Sequence, residues 1–101
     1  MVARKKKFLA AEFADRFRES YAALTNDRQK GVDKVILALM KQEPTPGMRI
    51  KPIQPEKYYY EARINAGDRL VFRLDDAGVR FVDVVQHDDI DRFGRKVRNL
   101  L

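Results

Sequence analysis

Three arginines and the only histidine of the chain are the side chains best suited to chemistry on a phosphate group. Arg63, Arg69 and Arg73 can bind phosphate oxygens through paired hydrogen bonds and stay charged, as stabilising a phosphorane-like transition state requires. His87 can exchange protons near neutral pH, so it could act as general acid or base when a ribose 2′-hydroxyl attacks a phosphodiester. The arginines could instead form structural ion pairs with carboxylates on neighbouring strands.

The composition favours nucleic acid as the first partner to consider. The chain has 101 residues, a net charge of +6 and a pI of about 9.8, and its first 51 residues hold 12 basic and 6 acidic side chains. A basic surface attracts phosphate polymers, although the charge could also serve solubility alone. Without cysteine neither a disulfide framework nor a thiolate metal site is possible, and the single histidine further disfavours a structural zinc site.

The length predicts a single domain spanning residues 1–101. No apolar run approaches the roughly 20 residues that span a bilayer, and the apolar run after the basic amino-terminal segment is too short for a signal-peptide core. We therefore expect a cytoplasmic protein.

The first half of the chain has the apolar spacing of two helices. One amphipathic helix is predicted from Leu9, Phe13, Phe17, Tyr21 and Leu24, which recur at three- and four-residue steps. A second is predicted from Val32, Val35, Ile36, Leu39 and Met40, with Asn26 or Asp27 as its N-cap and Pro44 beyond its end. Two such helices joined by a short turn form an αα-hairpin.

The second half alternates with period two and predicts strands at residues 48–53, 58–65, 69–75 and 79–86. Tight turns between the last three make an antiparallel meander, and a short polar helix over residues 88–98 closes the chain. The predicted fold class is therefore α+β, with the αα-hairpin packed on one face of a mainly antiparallel four-stranded sheet.

Alternation also assigns side chains to the two faces of this sheet. The face toward the helices is predicted to carry Tyr58, Tyr60, Ala62, Ile64, Leu70, Phe72, Leu74, Val82 and Val84. The opposite face, here called the arginine face after Arg63, Arg69 and Arg73, is predicted to carry also Glu61, Phe81, Asp83, Val85 and His87. Of the run of three tyrosines, only Tyr59 is then free to stack on a base.

Four segments, taken in order, resemble the RelE/ParE superfamily of toxin–antitoxin toxins. They are residues 44–49 (PTPGMR), 60–64 (YEARI), 67–72 (GDRLVF) and 87–88 (HD). The resemblance covers essentially the whole chain, and two leading helices, a strand meander and a short last helix are that family's layout. It implies ribosome-dependent cleavage of mRNA without metal or cofactor.

The resemblance also implies roles for particular residues. Arg63 and Arg69 match phosphate-binding positions, His87 matches an acid/base position, and Asp88 beside it is a further catalytic candidate. RNA-binding candidates are Arg49, Lys51, Tyr59 and Arg73. The implied partners are a cognate antitoxin and mRNA on the ribosome, with the oligomeric state open, a homodimer included. The alternative is a non-catalytic or ParE-type member that acts by binding, for example on DNA gyrase.

The chain departs from the family at two places. Members often carry lysines where Tyr60 and Ala62 stand, and a tyrosine after the histidine position, where this chain has Asp91 or Phe93. One acid/base partner is then either missing or supplied by a carboxylate, Asp88 or Asp91. We therefore expect cleavage to depend on His87 and to be slow compared with members that keep those groups.

Overall fold

A computed structural model describes residues 8–53 and 57–90, which form a five-stranded sheet with two helices on one face. The strands are β1 (Ala11–Phe13), β2 (Lys51–Pro52), β3 (Tyr59–Arg63), β4 (Asp68–Asp75) and β5 (Gly78–Gln86). The helices are α1 (Asp15–Ala22) and α2 (Asn26–Met40), and 3-10 turns cover Pro46–Met48 and His87–Asp89. The predicted class and layout are confirmed, with one strand more than expected. Residues 91–98 of the predicted closing helix, including Asp91 and Phe93, lie outside the described residues.

The sheet has the order β1-β5-β4-β3-β2. Strands β2 to β5 form the predicted antiparallel meander, whereas β1 runs parallel to β5 at the edge. The main core lies between the helices and one face of this sheet. Its largest fully buried members on the two sides are Val32 of α2 and Leu70, Phe72 and Phe81 of the sheet.

Residues 11–13, expected to lie in the first helix, instead form β1. The Val79 N–H donates to the Ala10 carbonyl at 2.9 Å, so the edge of β5 supplies the backbone partners that a helix would otherwise supply. The Phe13 ring contacts both Phe17 and Phe81, with centroids 5.4 and 5.2 Å away. The helical prediction was wrong here. Phe13 in an extended strand contacts the same aromatic core that it would contact in a helix, so the spacing of apolar residues could not distinguish a strand from a helix.

Helix α2 buries the apolar stripe that the sequence predicted. Its buried residues are Val32, Val35 and Leu39. The cap is Thr25, whose hydroxyl accepts from the Arg28 N–H at 3.4 Å, so the prediction of Asn26 or Asp27 was wrong. Thr, Asn and Asp side chains can all accept the N-cap hydrogen bond. Residue types alone therefore could not show which of the adjacent residues 25–27 is the cap.

A β-bulge in β5 changes which face its residues occupy. Phe72 lies opposite Phe81 and Val71 opposite Asp83, which leaves Val82 as the extra residue. Phe81 is fully buried in the main core, and Val82 packs on the other face. The predictions that placed Phe81 on the arginine face and Val82 toward the helices were therefore wrong, because strict alternation fails across an inserted residue. Val84 points to the main core as predicted.

Asp83, the residue after the bulge, ties α1 to the sheet. It is 3% exposed, and its carboxylate accepts from Arg16 Nε at 2.8 Å and from Ser20 Oγ at 2.5 Å. Both donors lie on α1, more than 60 residues earlier in the chain. Asp83 thus holds α1 against the sheet and is not part of an exposed polar surface.

Asp68 ties α2 to the hairpin between β3 and β4. Its buried carboxylate accepts from Arg28 Nε at 2.9 Å and Nη2 at 2.7 Å, from Asn65 Nδ2 at 2.8 Å and from Gln86 Nε2 at 2.7 Å. The Arg28 guanidinium, helped by the two amides and opposed by burial, lowers the pKa of the Asp68 carboxyl to about 2. This network fixes the end of the sheet from which His87 follows.

Candidate functional site

The arginine face of the sheet carries a small apolar cluster as well as charged side chains. Ile53, Val71 and Ile90 are buried together there, and Tyr59, Val82 and Val85 pack against them. Ile90 follows the 3-10 turn His87–Asp89, so its burial against Val71 draws that turn across the face of the sheet. The cluster therefore positions His87 and Asp88.

A hydrogen bond fixes the start of the same turn. The His87 N–H donates to the Gly67 carbonyl at 2.7 Å, linking the end of β5 to the turn between β3 and β4. The side chains of His87 and Asp88 remain exposed. A histidine held at its backbone and open at its ring has the freedom of access that a proton carrier requires.

A cavity of about 260 Å³ opens beside this turn on the arginine face. Its walls are formed by Lys51, Glu61, His87, Asp88 and Ile90. Three of the sequence-predicted site residues, Lys51, His87 and Asp88, are therefore brought together. Their charges and hydrogen-bonding groups suit a phosphate or ribose ligand.

Lys51 and Glu61 face each other across β2 and β3. The two residues are register partners, and Lys51 Nζ lies 3.8 Å from Glu61 Oε1. The Lys51 side chain is 61% exposed, whereas that of Glu61 is 5% exposed. The ammonium group is thus on the solvent side of the pair, where it can contact an incoming anion.

Arg63 and Arg69 are register partners on β3 and β4 but differ in their surroundings. Arg63 is half-buried, and its guanidinium has no hydrogen bond or ion pair within the described parts of the chain. Arg69 is 9% exposed, and its Nη1 donates to the carbonyls of Asn65 at 2.7 Å, Ala66 at 3.3 Å and Asp68 at 3.1 Å. One end of Arg69 therefore holds the β3–β4 turn in shape, and its role in phosphate binding stays a prediction.

The remaining candidates lie away from the cavity. Arg73 pairs with Asp75 at 3.2 Å, and its guanidinium carbon is 5.9 Å from the centre of the Tyr58 ring. Arg49 is exposed and adopts a left-handed backbone conformation after the first 3-10 turn. Tyr59 packs against the apolar cluster of the arginine face, which leaves only part of its ring for stacking. Their RNA-binding roles stay predictions.

A larger groove of about 860 Å³ lies at the rim of the main core. It is lined mainly by apolar side chains, among them Leu39, Tyr60, Phe72 and Leu74. Arg73 is its only member among the predicted site residues. The groove lacks the combination of histidine, lysine and carboxylates found in the smaller cavity, so we place the candidate site at the smaller one.

Glu61 is the charged cavity residue that sequence reasoning did not assign to the site. In an alternating strand a glutamate opposite a lysine is typical of a surface ion pair, so its type gave no signal. Its burial depends on the turn that packs over the sheet through Ile90, which strand alternation does not predict.

Neither a metal cluster nor a membrane-spanning helix occurs in the parts of the chain that the structure describes. Residues 8–53 and 57–90 contain no group of three or more histidine or acidic side chains placed to hold a metal ion. No helix among them is both long and apolar enough to cross a bilayer.

Comparison with known proteins identifies the fold. No protein-family model matches the sequence, and no curated protein matches it. A chain of the E. coli DinJ–YafQ toxin–antitoxin complex matches with a TM-score of 0.71 and 15% identity, over 82% of this chain and 94% of that chain. The RelB–RelE antitoxin–toxin complex of Methanococcus jannaschii matches with a TM-score of 0.66 and 17% identity, over 81% and 96%.

The YoeB dimer of Staphylococcus aureus also matches, with a TM-score of 0.66 and 20% identity, over 78% of this chain and 97% of that chain. The chain therefore has the fold of RelE-type toxins, as the resemblance of its sequence predicted. The structural match covers 94–97% of the length of each of these three chains, so the sheet that carries the arginine face lies within the shared fold.

Proposed function

We propose that this chain is the toxin of a type II toxin–antitoxin pair and that it cleaves mRNA on the ribosome. The observation that carries the proposal is the cavity on the arginine face of a RelE-type fold, where Lys51, His87 and Asp88 meet. Arg63, without a partner in the described residues, lies two positions along β3 from the cavity. These groups match the needs of phosphodiester cleavage by a neighbouring hydroxyl.

In the proposed reaction a base takes the proton of a ribose 2′-hydroxyl, the 2′-oxygen attacks the adjacent phosphorus, and the bond from phosphorus to the 5′-oxygen breaks. The products are a 2′,3′-cyclic phosphate and a 5′-hydroxyl. Protonated His87 gives its proton to the departing 5′-oxygen, and Arg63 and Lys51 stabilise the negative charge on the phosphorane oxygens. The scheme requires neither a metal nor a cofactor.

Arg69 contributes to this scheme as a positioning residue. Its Nη1 holds the Asn65 and Ala66 carbonyls of the β3–β4 turn, and the next residue, Gly67, accepts the backbone hydrogen bond of His87. Arg69 thereby supports the part of the chain from which His87 extends. Its remaining nitrogen atoms can add a contact to phosphate.

We also propose a cognate antitoxin as the protein partner. The matching E. coli and M. jannaschii structures are complexes of toxins with antitoxins. The basic balance of this chain, +6 overall, suits an acidic segment that folds as it binds. Such a segment would neutralise the toxin by covering the cavity.

Induced expression with mapping of mRNA 5′ ends tests the proposal. We expect growth arrest and new 5′ ends within translated messages, and a loss of about 100-fold or more in cleavage by the His87→Gln variant. An equally cleaving His87→Gln variant would remove the histidine from the mechanism. Gyrase-linked DNA breaks would favour the ParE-type alternative. The absence of both RNA cleavage and DNA breaks would favour a protein that acts by binding only.

A further inference from the structure

Glu61 has surroundings that are unusual for a buried carboxylate. It is 4% exposed, at the middle of β3, and within the described residues its one charged partner is Lys51 Nζ at 3.8 Å. That distance is too long for a direct hydrogen bond. Buried carboxylates normally accept several hydrogen bonds, because a charge removed from water is otherwise poorly stabilised.

The other two buried carboxylates among residues 8–53 and 57–90 follow this rule. Asp68 accepts four side-chain hydrogen bonds, and Asp83 accepts three, one of them from a backbone N–H. Glu61 accepts none from the described residues, although it lines the cavity. Its acceptor positions are therefore open to a donor that enters from the cavity.

The groups facing Glu61 come from three elements. Lys51 lies on β2, His87 and Asp88 lie on the 3-10 turn, and the β4 residue opposite Glu61 is the apolar Val71. A proton donor and a proton acceptor thus line one cavity of about 260 Å³, which is spacious enough for a phosphate and its ribose. The cleavage scheme above requires such a pair.

We propose that Glu61 is the general base of this site, an inference that rests on the proposed mRNA cleavage. The Glu61 carboxylate accepts the proton of the 2′-hydroxyl as the 2′-oxygen forms its bond to phosphorus. The bond to the 5′-oxygen breaks, and the 5′-oxygen takes its proton from His87. Glu61 ends neutral and His87 ends unprotonated, so solvent restores both before the next turnover. This assignment fills the acid/base position that the sequence left without a residue.

Lys51 does not prevent this role. Its side chain is mostly exposed, and an ion pair with one solvent-exposed member is weak. A phosphodiester entering the cavity offers the ammonium group a second anionic partner, whose two non-bridging oxygens share one negative charge. Lys51 can then turn to the substrate and leave Glu61 free to accept the proton.

The isosteric variant Glu61→Gln tests the inference, with Glu12→Gln, an exposed residue of β1, as its matched control. Single-turnover cleavage of ribosome-bound mRNA is measured across pH, beside the melting temperature. We expect Glu61→Gln to lose about 100-fold or more in rate and to lose the acidic limb of the pH–rate profile, with the control unchanged. Should Glu61→Gln fail to fold, Glu61→Asp is expected to cleave slowly and to keep the acidic limb.

Unchanged cleavage in Glu61→Gln, or an unchanged pH–rate profile, would overturn the role of Glu61 and leave the proposed function standing. A parent protein that cleaves no mRNA would overturn the proposed function, and the role of Glu61 with it.

A modified substrate separates the base from the acid. When sulfur replaces the bridging 5′-oxygen at the cleavage site, the leaving thiolate needs no proton. We expect His87→Gln to recover most of its lost rate on this substrate, whereas Glu61→Gln stays slow. Recovery by Glu61→Gln would place Glu61 on the side of the leaving group and refute its assignment as base.

Discussion

Asp68 connects three parts of the fold through one carboxylate. It joins Arg28 of α2, Asn65 of the turn before β4 and Gln86 at the end of β5. Since His87 follows Gln86 directly, the same carboxylate helps to set where the candidate site begins. Substitutions at Asp68 are therefore expected to act on stability first and on the site through it.

Stability should depend on the charge of Asp68 below about pH 4. Its pKa is about 2 in the folded chain against an ordinary value of 3.8, so the stabilisation is complete above pH 3.8 and is lost as pH falls toward 2. We expect this contribution to be about 1–2 kcal/mol, because the partly exposed Arg28 is screened by solvent.

Urea unfolding between pH 2 and 6 checks this prediction. Asp68→Asn should lower the free energy of unfolding at pH 6 and flatten its fall toward pH 2, whereas Asp76→Asn, in the exposed β4–β5 turn, should leave both unchanged. The same acid dependence in Asp68→Asn and the parent would contradict it.

The candidate site could be predicted in part from residue types and order. His87, Asp88 and Lys51 were expected there, and the structure brings them to one cavity. Glu61 could not be predicted, because its burial depends on Ile90 packing over the sheet from another element. The hydrogen bonds from Arg69 to three backbone carbonyls could not be predicted either, because the sequence does not show the direction in which the carbonyl groups of a turn point.

Among the elements, α2 and strands β3 to β5 were predictable because each has a clear apolar period over several residues. β1 was not, because three residues carry too little pattern and their conformation depends on the edge of β5. The bulge at Val82 was missed for a related reason. A single inserted residue hardly changes the apolar pattern of a strand, but it moves the residues on one side of the insertion to the opposite face of the sheet.

Gly78 is the residue that allows β1 to join the sheet. Its φ is +138°, a conformation that side chains rarely adopt, and a Cβ there would lie 2.3 Å from the Ala10 carbonyl oxygen. We expect Gly78→Ala to lower the free energy of unfolding by about 2–4 kcal/mol, because the edge between β1 and β5 must open.

Gly47→Ala is the matched control for thermal or denaturant unfolding. A Cβ at Gly47 would meet nothing within 4 Å, so this variant should stay within about 1 kcal/mol of the parent. Equal stability of the two variants would show that the approach of β1 does not constrain residue 78.

Across the whole molecule, the excess of positive charge predicts how binding responds to salt. If Arg63, Lys51 and Arg49 each contact a phosphate, affinity for single-stranded RNA should fall about 10- to 20-fold between 50 and 200 mM salt. Filter binding with the His87→Gln variant measures this without cleavage. Arg63→Ala in the same background should make the slope of log affinity against log salt shallower by about 0.7. A flat salt dependence would argue against phosphate contacts altogether.

The pairing of β1 with β5 also bears on when the candidate site can form during synthesis of the chain. The Arg16–Asp83 ion pair spans 67 residues, so it can form only after both ends of that span have been made. During synthesis α1 and β1 must wait for β5, and His87 follows β5. The candidate site therefore forms only after both α1 and β5 have left the ribosome. The topology therefore delays the candidate site, and with it the proposed cleavage, until β5 has been made.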